Sequence, residues 1–165
     1  MEKILKILLS AVIALSFTSC HSIDDDRLPP APVRLNFNTV ADWNLYGNPA
    51  ALQYVIFIKE QRIPANYNYS AISETGYGGI LLVGDAFGMP IAYDLACPVE
   101  MRKDTRIKVD TEKNEAYCPN CGSRFDIFAN YGSPLSGKAA ELGYGLQKYY
   151  VGAGAAGEYM VITRK

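Results

Sequence analysis

Short apolar runs separated by turn residues follow one another along most of the chain, and this pattern predicts strands rather than helices. Residues 33–37 alternate apolar and polar positions, which predicts an edge strand. Residues 53–58 are rich in β-branched and aromatic side chains and predict a buried strand. Residues 42–49 contain asparagine, glycine and proline, which predicts a loop, with Trp43 in the core or above it as a lid.

Two hairpins are predicted in the second half of the chain, and each leads into a cysteine. Residues 80–83 and 91–95 form the first hairpin, which runs into Cys97. Residues 107–117 form the second hairpin around a polar turn, and it runs into Cys118. Two cysteine-bearing loops at strand ends are therefore expected to face each other.

The C-terminal part of the chain completes the pattern. Residues 149–151 and 159–162 predict strands, and the glycine- and alanine-rich residues 152–157 between them predict a flexible turn. No amphipathic helix longer than two turns is predicted. The expected fold class is all-β, a small barrel-like sandwich.

The N-terminal region has the pattern of an export signal. Residues 1–19 combine a basic start, an apolar stretch too short for a membrane span, and small residues before Cys20. A cysteine in this place resembles a lipobox, where bacterial lipoproteins are cleaved and acylated, so we expect lipid on Cys20. An ordinary cleaved signal with an unmodified cysteine is the alternative. Residues 20–32 then predict an extended tether. The three aspartates at residues 24–26 resemble an acidic signal that directs some lipoproteins to the outer cell surface, and the alternative is a solvated linker.

Residues 33–165 remain for a single domain with a sizeable core. The chain carries 16 basic and 17 acidic residues and a net charge of −1, so its composition gives no indication of nucleic-acid binding. Basic side chains cluster in residues 102–108, but acidic ones interrupt them, which predicts a solvated strand face. The tyrosine-rich residues 66–70 and 76–79 predict loops whose rings either stack on a sugar or a protein partner or cap a sheet edge.

The cysteines are the main chemical signal. Four are present, and lipid on Cys20 leaves three, an odd number that in an exported chain indicates a free thiol or a set of metal ligands. Cys118 and Cys121 lie two residues apart and precede a glycine, so their sulfurs converge on one point. This spacing suits a metal or a redox pair better than a core-filling role.

Residues 80–162 resemble the Rieske iron–sulfur domain, in which a Cys-x-His loop and a Cys-x-x-His loop hold a [2Fe–2S] cluster. The resemblance is carried by a Cys-Pro-x-x-Gly-Ser-x-Phe-Asp run and a Gly-x-Pro-x-x-Gly segment, at Cys118, Pro119, Gly122, Ser123, Phe125, Asp126, Gly132, Pro134 and Gly137. It implies a Rieske-like small barrel or sandwich with two cysteine-bearing hairpin loops. It also implies that Ser123 donates a hydrogen bond at the cluster and that the loop with Pro134 covers it.

The ligands of this family are incomplete in the chain. Cys97 and Cys118 occupy the two cysteine positions, but Val99 stands in place of the first histidine and Cys121 in place of the second. The single histidine, His21, lies in the export region. An ordinary Rieske cluster is therefore not expected.

Three interpretations of the site stay open. In the first, Cys97, Cys118 and Cys121 hold an atypical [2Fe–2S] cluster with Glu100 or a partner as the fourth ligand, and the protein transfers electrons. The signal lacks twin arginines, which argues against a cluster because clusters are inserted before export. In the second, the same cysteines and Glu100 hold a structural zinc ion. In the third, no metal is bound, Cys97 pairs with one of the other two in a disulfide, and the domain is a binding module.

No catalytic constellation is recognised in the sequence. There is no histidine base, and Asp94, Glu100 and Asp126 are interpreted as turn or capping residues rather than paired acids. We therefore expect a non-catalytic lipoprotein of the bacterial cell envelope. Lipid on Cys20 would hold it on the membrane, and its partner would be a protein or a glycan that the sequence does not identify.

Overall fold

A computed structural model describes residues 22–152 and 160–163, and it confirms the all-β class. Within these residues, strands form two antiparallel sheets. The large sheet has seven strands in the order β2-β4-β5-β10-β11-β1-β3, and the small sheet has four in sequence order, β6 to β9. The strands are β1 (Val33–Phe37), β2 (Tyr54–Phe57), β3 (Glu74–Thr75), β4 (Ile80–Gly84), β5 (Pro90–Asp94), β6 (Lys108–Asp110), β7 (Glu115–Tyr117), β8 (Arg124–Asp126), β9 (Ser133–Ser136), β10 (Lys148–Gly152) and β11 (Met160–Thr163).

Alternation along β4 places the large sheet between two hydrophobic cores. Leu81 and Val83 face the first core, which the small sheet shares through residues such as Phe125. Ile80 and Leu82 face the second core, which lies on the other side of the large sheet. We call these the shared core and the aromatic core, since the second contains Phe37, Trp43, Phe57, Tyr67 and Tyr149.

The prediction of a loop over residues 42–49 is wrong. Val40–Asp42 forms an α-helical turn capped by the Thr39 hydroxyl, which accepts a hydrogen bond from the Asp42 N–H at 3.0 Å, and Trp43–Gly47 continues it as a π-helical turn. The turn holds the Trp43 ring edge-on against Phe37, with ring centroids 5.5 Å apart. Gly47 leaves the room for this ring, because a Cβ there would lie 2.1 Å from it. Trp43 is a core residue, as one of the two interpretations expected.

Two strand positions differ from expectation. β2 was expected to be buried, but it pairs only with β4 and lies at the edge of the large sheet, so Tyr54 is exposed. β1 has the predicted alternation but is not the outermost strand, because β3 pairs with its first two residues. The predicted turn at residues 152–157 falls almost entirely on residues 153–159, outside the described part of the chain.

The described part of the predicted tether contacts the domain. The Asp24 N–H donates to Gly143 O at 2.8 Å, and the Gly145 N–H donates to Asp24 O at 2.9 Å. The Arg27 guanidinium lies 3.6 Å from the centre of the Tyr144 ring. Leu28 is buried. Backbone pairing at Asp24 and the buried Leu28 therefore attach this part of the chain to the domain, and its role as a tether between lipid and domain stays a prediction.

Residues 1–21, including Cys20, lie outside the described residues, so the signal peptide and the lipid anchor stay predictions. Among the helices of residues 22–152 and 160–163, none has the length and apolar character of a membrane span.

Candidate metal centre

The two cysteine loops meet at one end of the shared core. The first follows β5, and Cys97 is fixed there by its N–H, which donates to Thr105 O at 3.0 Å, and by its carbonyl, which accepts from the Met101 N–H at 2.9 Å. The second joins β7 to β8, and the Gly122 N–H closes it by donating to Cys118 O at 2.9 Å. Gly122 has φ of +70°, a conformation that glycine adopts without strain.

The three sulfurs converge, as the spacing predicted for Cys118 and Cys121 and as the facing of the two loops predicted for Cys97. The Sγ atoms of Cys97, Cys118 and Cys121 all lie within 4.8 Å of one another, and those of Cys97 and Cys121 are 3.6 Å apart. Cys97 and Cys118 are fully buried, whereas Cys121 is half-buried. All three are free thiols here. Three thiols at these distances are close enough together to bind a metal ion.

Backbone N–H groups surround each sulfur. Val99 and Glu100 direct their N–H groups at Cys97, and Asn120 and Cys121 direct theirs at Cys118. The N–H and the hydroxyl of Ser123 do the same for Cys121. Such donors stabilise negative charge on sulfur, which is the charge of a metal-binding thiolate.

The pKa directions reflect a competition between burial and these donors. Burial raises the pKa of Cys97 and that of Cys118, and the N–H groups offset only part of the effect. Burial also acts on Cys121, but the Ser123 hydroxyl and N–H, together with the neighbouring thiols, outweigh it and lower the pKa of Cys121. Without a metal, Cys121 is therefore the thiol that ionises most readily.

Ser123 contacts Cys121 at the edge of the site. The Cys121 thiol donates to Ser123 Oγ at 3.2 Å, and the same Oγ accepts a hydrogen bond from the Ala139 N–H at 3.0 Å. When Cys121 ionises, the Ser123 hydroxyl donates to the sulfur instead, which helps to lower the pKa of Cys121. Ser123 is fully buried, and Gly137 packs on its backbone so closely that a Cβ there would lie 2.9 Å from Ser123 Cα.

The prediction that residues 132–139 form a loop is wrong. Ser133–Ser136 forms strand β9, and Lys138–Leu142 forms a short helix. Pro134 is half-buried in β9, where it pairs with Phe125 rather than standing in a loop. Proline is tolerated because β9 is the edge of the small sheet and its missing N–H breaks no inner ladder. The contact with the site comes instead from Gly137 and Ala139.

Glu100 does not belong to the group of ligand atoms that lie within 4.8 Å of one another. Its backbone N–H points at the Cys97 sulfur. The role of its carboxylate as the fourth ligand stays a prediction. Val99 is half-buried and packs against the shared core.

Asp94 and Asp126 have the capping roles expected of them. The buried Asp94 carboxylate accepts hydrogen bonds from the N–H groups of Tyr77, Gly78 and Ala96 at 2.7–2.9 Å, and from the Tyr149 hydroxyl. Burial raises the pKa of Asp94, while these donors act in the opposite direction. Asp126 accepts from two N–H groups of the turn that follows β8.

The ion pairs of Arg124 were not predicted from the sequence. The Arg124 guanidinium, on β8, pairs with both Asp110 and Glu115 across the small sheet, and all three side chains are half-buried. Asp110 and Glu115 lie in the predicted hairpin of residues 107–117, for which no pairing with Arg124 was predicted. The signal was the lone arginine after the cysteine motif, and strand pairing was needed to see that it faces two carboxylates.

The chain was also compared with protein-family models and with curated proteins, and neither comparison finds a match. The site is therefore interpreted from its own geometry.

Proposed function

We propose that this protein is a lipid-anchored, non-catalytic binding protein of the bacterial cell envelope, whose cysteine loops are held together by one metal ion. The observation that carries the metal site is the convergence of three thiols within 4.8 Å. Zinc is the first candidate because structural zinc takes four tetrahedral ligands, favours thiolates and can be acquired after export.

The sulfur spacing supports a single ion over a two-iron cluster. With Zn–S bonds near 2.3 Å, tetrahedral geometry separates two sulfurs by about 3.8 Å, and Cys97 and Cys121 are 3.6 Å apart. A [2Fe–2S] cluster divides its ligands between two irons, so sulfurs on different irons lie further apart. Cys121 stands at the position of a second-iron ligand, yet it contacts Cys97.

Glu100 is the proposed fourth ligand. It is half-buried on the turn that holds Cys97, and its backbone N–H points at the Cys97 sulfur. A Glu100→Gln variant is expected to bind zinc more weakly and still fold, because its N–H to Cys97 is retained.

A disulfide between Cys97 and Cys121 is the second candidate, because their sulfurs already lie 3.6 Å apart. Measurements of the metal content and of the number of free thiols distinguish a bound metal ion from a disulfide. The mature domain, purified without oxygen, is expected to carry one zinc per chain and to release three reactive thiols after denaturation and chelation. Cys121→Ser should lose the metal, and the neighbouring exposed Asn120→Ser should keep it. One free thiol and no metal would favour the disulfide.

The relation to the Rieske family is proposed on the same site. The meeting of two cysteine loops and the contact of Ser123 with Cys121 support it. Restoring the family ligands with Val99→His and Cys121→His should let protein expressed in the cytoplasm without its signal assemble a red-brown cluster. A colourless, folded double variant would argue against the relation.

Membrane anchoring is proposed on the N-terminal pattern. Asp24 is docked on the domain, and four residues of extended chain span at most about 14 Å, so lipid on Cys20 would hold this face next to the bilayer. Labelled palmitate should be incorporated into the wild type and not into Cys20→Ala. Equal labelling of both would contradict the anchor.

A further inference from the structure

A polar pocket lies beside the aromatic core, in the loop between β2 and β3 and away from the cysteines. Its volume is about 280 Å³, near the lower end for ligand sites and suited to one sugar ring. Its lining consists of Arg62, Ala65, Asn66, Tyr67, Asn68 and Tyr69.

The aromatic part of the pocket is rigid. Tyr67 is buried and packs edge-on against Tyr46, Phe57 and Tyr69, with ring centroids 4.8–5.4 Å apart. The Tyr67 hydroxyl donates to Asn36 O at 2.7 Å, and the Tyr69 hydroxyl donates to Ile63 O. Both rings are therefore held in place before a ligand arrives, which lowers the entropy cost of binding.

The backbone of the loop is fixed as well. The Tyr67 N–H donates to Pro64 O and the Tyr69 N–H to Tyr67 O, both at 3.1 Å. The Ser70 N–H donates to Ser73 Oγ at 3.0 Å. The loop thus presents a defined surface instead of an adaptable one.

Three polar side chains of the pocket are free to bind a ligand. Arg62, Asn66 and Asn68 are exposed, and within the described residues no hydrogen bond or ion pair engages their side chains. Each amide both donates and accepts, which suits sugar hydroxyls. A guanidinium suits a carboxylate, which it binds through two parallel hydrogen bonds. The half-exposed ring of Tyr69 offers an apolar face.

We propose that this pocket binds a pyranose saccharide that carries a carboxylate, of the uronic acid class. The proposal gives a ligand class to the binding function proposed above and rests on it. Arg62 binds the carboxylate, Asn66 and Asn68 bind ring hydroxyls, and Tyr69 packs against the ring. A neutral sugar would leave Arg62 without a partner, so the acidic sugar is the better fit.

Tetragalacturonate and its fully methyl-esterified form are matched probes, because esterification removes the charge and keeps the ring. The mature domain is titrated with each by calorimetry and by emission of Trp43, which packs on Phe37 next to Tyr67. The acid should bind at least roughly tenfold more tightly than the ester, since only the carboxylate makes charge-assisted hydrogen bonds with Arg62. No binding of the acid, or equal binding of both forms, would overturn the proposal.

Single substitutions distinguish specific binding in the pocket from nonspecific electrostatic attraction of the acidic sugar to the protein. Arg62→Gln should remove the preference for the acid, while Lys113→Gln, which removes an exposed cation in the turn between β6 and β7, should leave it unchanged. Tyr69→Ala should weaken both forms, and Tyr69→Phe, which keeps the ring, should restore binding. Equal losses in Arg62→Gln and Lys113→Gln would contradict a specific site. Cys121→Ser protein should still bind the acid, so a failure of the metal proposal and a failure of this one give different results.

Discussion

The large and small sheets of this domain are stabilised in different ways. Most strands of the large sheet have four or five residues, and they bury an aromatic core on one face. The small sheet has strands of three or four residues, and it carries the second cysteine loop and the ion pairs of Arg124. The large sheet has a hydrophobic core on each face, whereas the small sheet contributes to one core only and adds specific polar contacts and, in our proposal, a metal ion.

Asp94 connects the two regions. It ends β5, its carboxylate accepts from the Tyr149 hydroxyl on β10, and it also accepts from the Ala96 N–H at the start of the first cysteine loop. The Asp94 carboxylate therefore links the first cysteine loop to strand β10 of the large sheet by hydrogen bonds. The comparison therefore predicts that the two sheets respond differently to substitutions of similar size.

The largest effect is expected from two adjacent core leucines. Leu81 and Leu82 are both fully buried on β4, but Leu81 faces the shared core and Leu82 the aromatic core. Each change to alanine should cost roughly 2–5 kcal/mol of unfolding free energy, measured by urea denaturation. Leu81→Ala should also weaken zinc binding, because it loosens the packing around Cys97, whereas Leu82→Ala should leave zinc affinity unchanged.

Leu81→Ala and Leu82→Ala are a matched pair, because both remove the same atoms from neighbouring buried positions and differ only in the face of the large sheet from which they remove them. Equal effects on zinc affinity would mean that the two regions are not separable. A loss of zinc affinity in Leu82→Ala alone would reverse the assignment of the cores.

A smaller effect is expected at Asp94. Asp94→Asn should cost about 2–3 kcal/mol, because an amide turns donors toward backbone N–H groups that the carboxylate satisfied. The control is Asp85→Asn in the exposed turn after β4, whose carboxylate accepts from the Phe87 and Met89 N–H groups at 2.8 Å, and it should cost at most about 1 kcal/mol. Denaturation midpoints that fall equally in both variants would contradict a linking role for Asp94.

The smallest effect is expected from Arg124, and it should depend on pH. The Arg124 guanidinium holds the pKa of Asp110 below its usual value. Since that carboxylate is more acidic in the folded state, the pair stabilises the fold above about pH 4, where an unfolded aspartate is ionised, and the contribution is lost as pH falls through the lowered pKa. Arg124→Met should lower the urea midpoint at pH 7 and have less effect near pH 2. Arg102→Met, which breaks an exposed pair with Asp104, should change little at either pH.

The strands of this fold were readable from the sequence, and much of the polar structure was not. Alternation and β-branched runs located β1, β4, β5 and β10 because their side chains face cores on fixed sides. The exposure of β2 was not predicted, because an apolar run does not show how many strands pair with it. The π-helical turn at Trp43 was missed because it depends on a ring packing over Gly47.

The cysteine site likewise has parts that the sequence predicts and parts that it does not. The spacing of Cys118 and Cys121 predicts convergence, and the motif resemblance brings Cys97 to them, so the three thiols were identified from the sequence. The contact of Ser123 with Ala139 and the change of the Pro134 segment into a strand depend on packing between elements far apart in sequence. Such contacts leave no periodic signal in the chain.

The central claim is that three thiolates hold one metal ion, and zinc X-ray absorption spectroscopy of the mature domain tests it most directly. We predict one zinc per chain with three sulfur ligands at about 2.3 Å and one oxygen or nitrogen ligand at about 2.0–2.2 Å. Cys121→Ser should reduce the sulfur count to two or abolish the zinc signal. A wild-type protein that contains two irons and two sulfides, or no metal and a Cys97–Cys121 disulfide, would contradict the account.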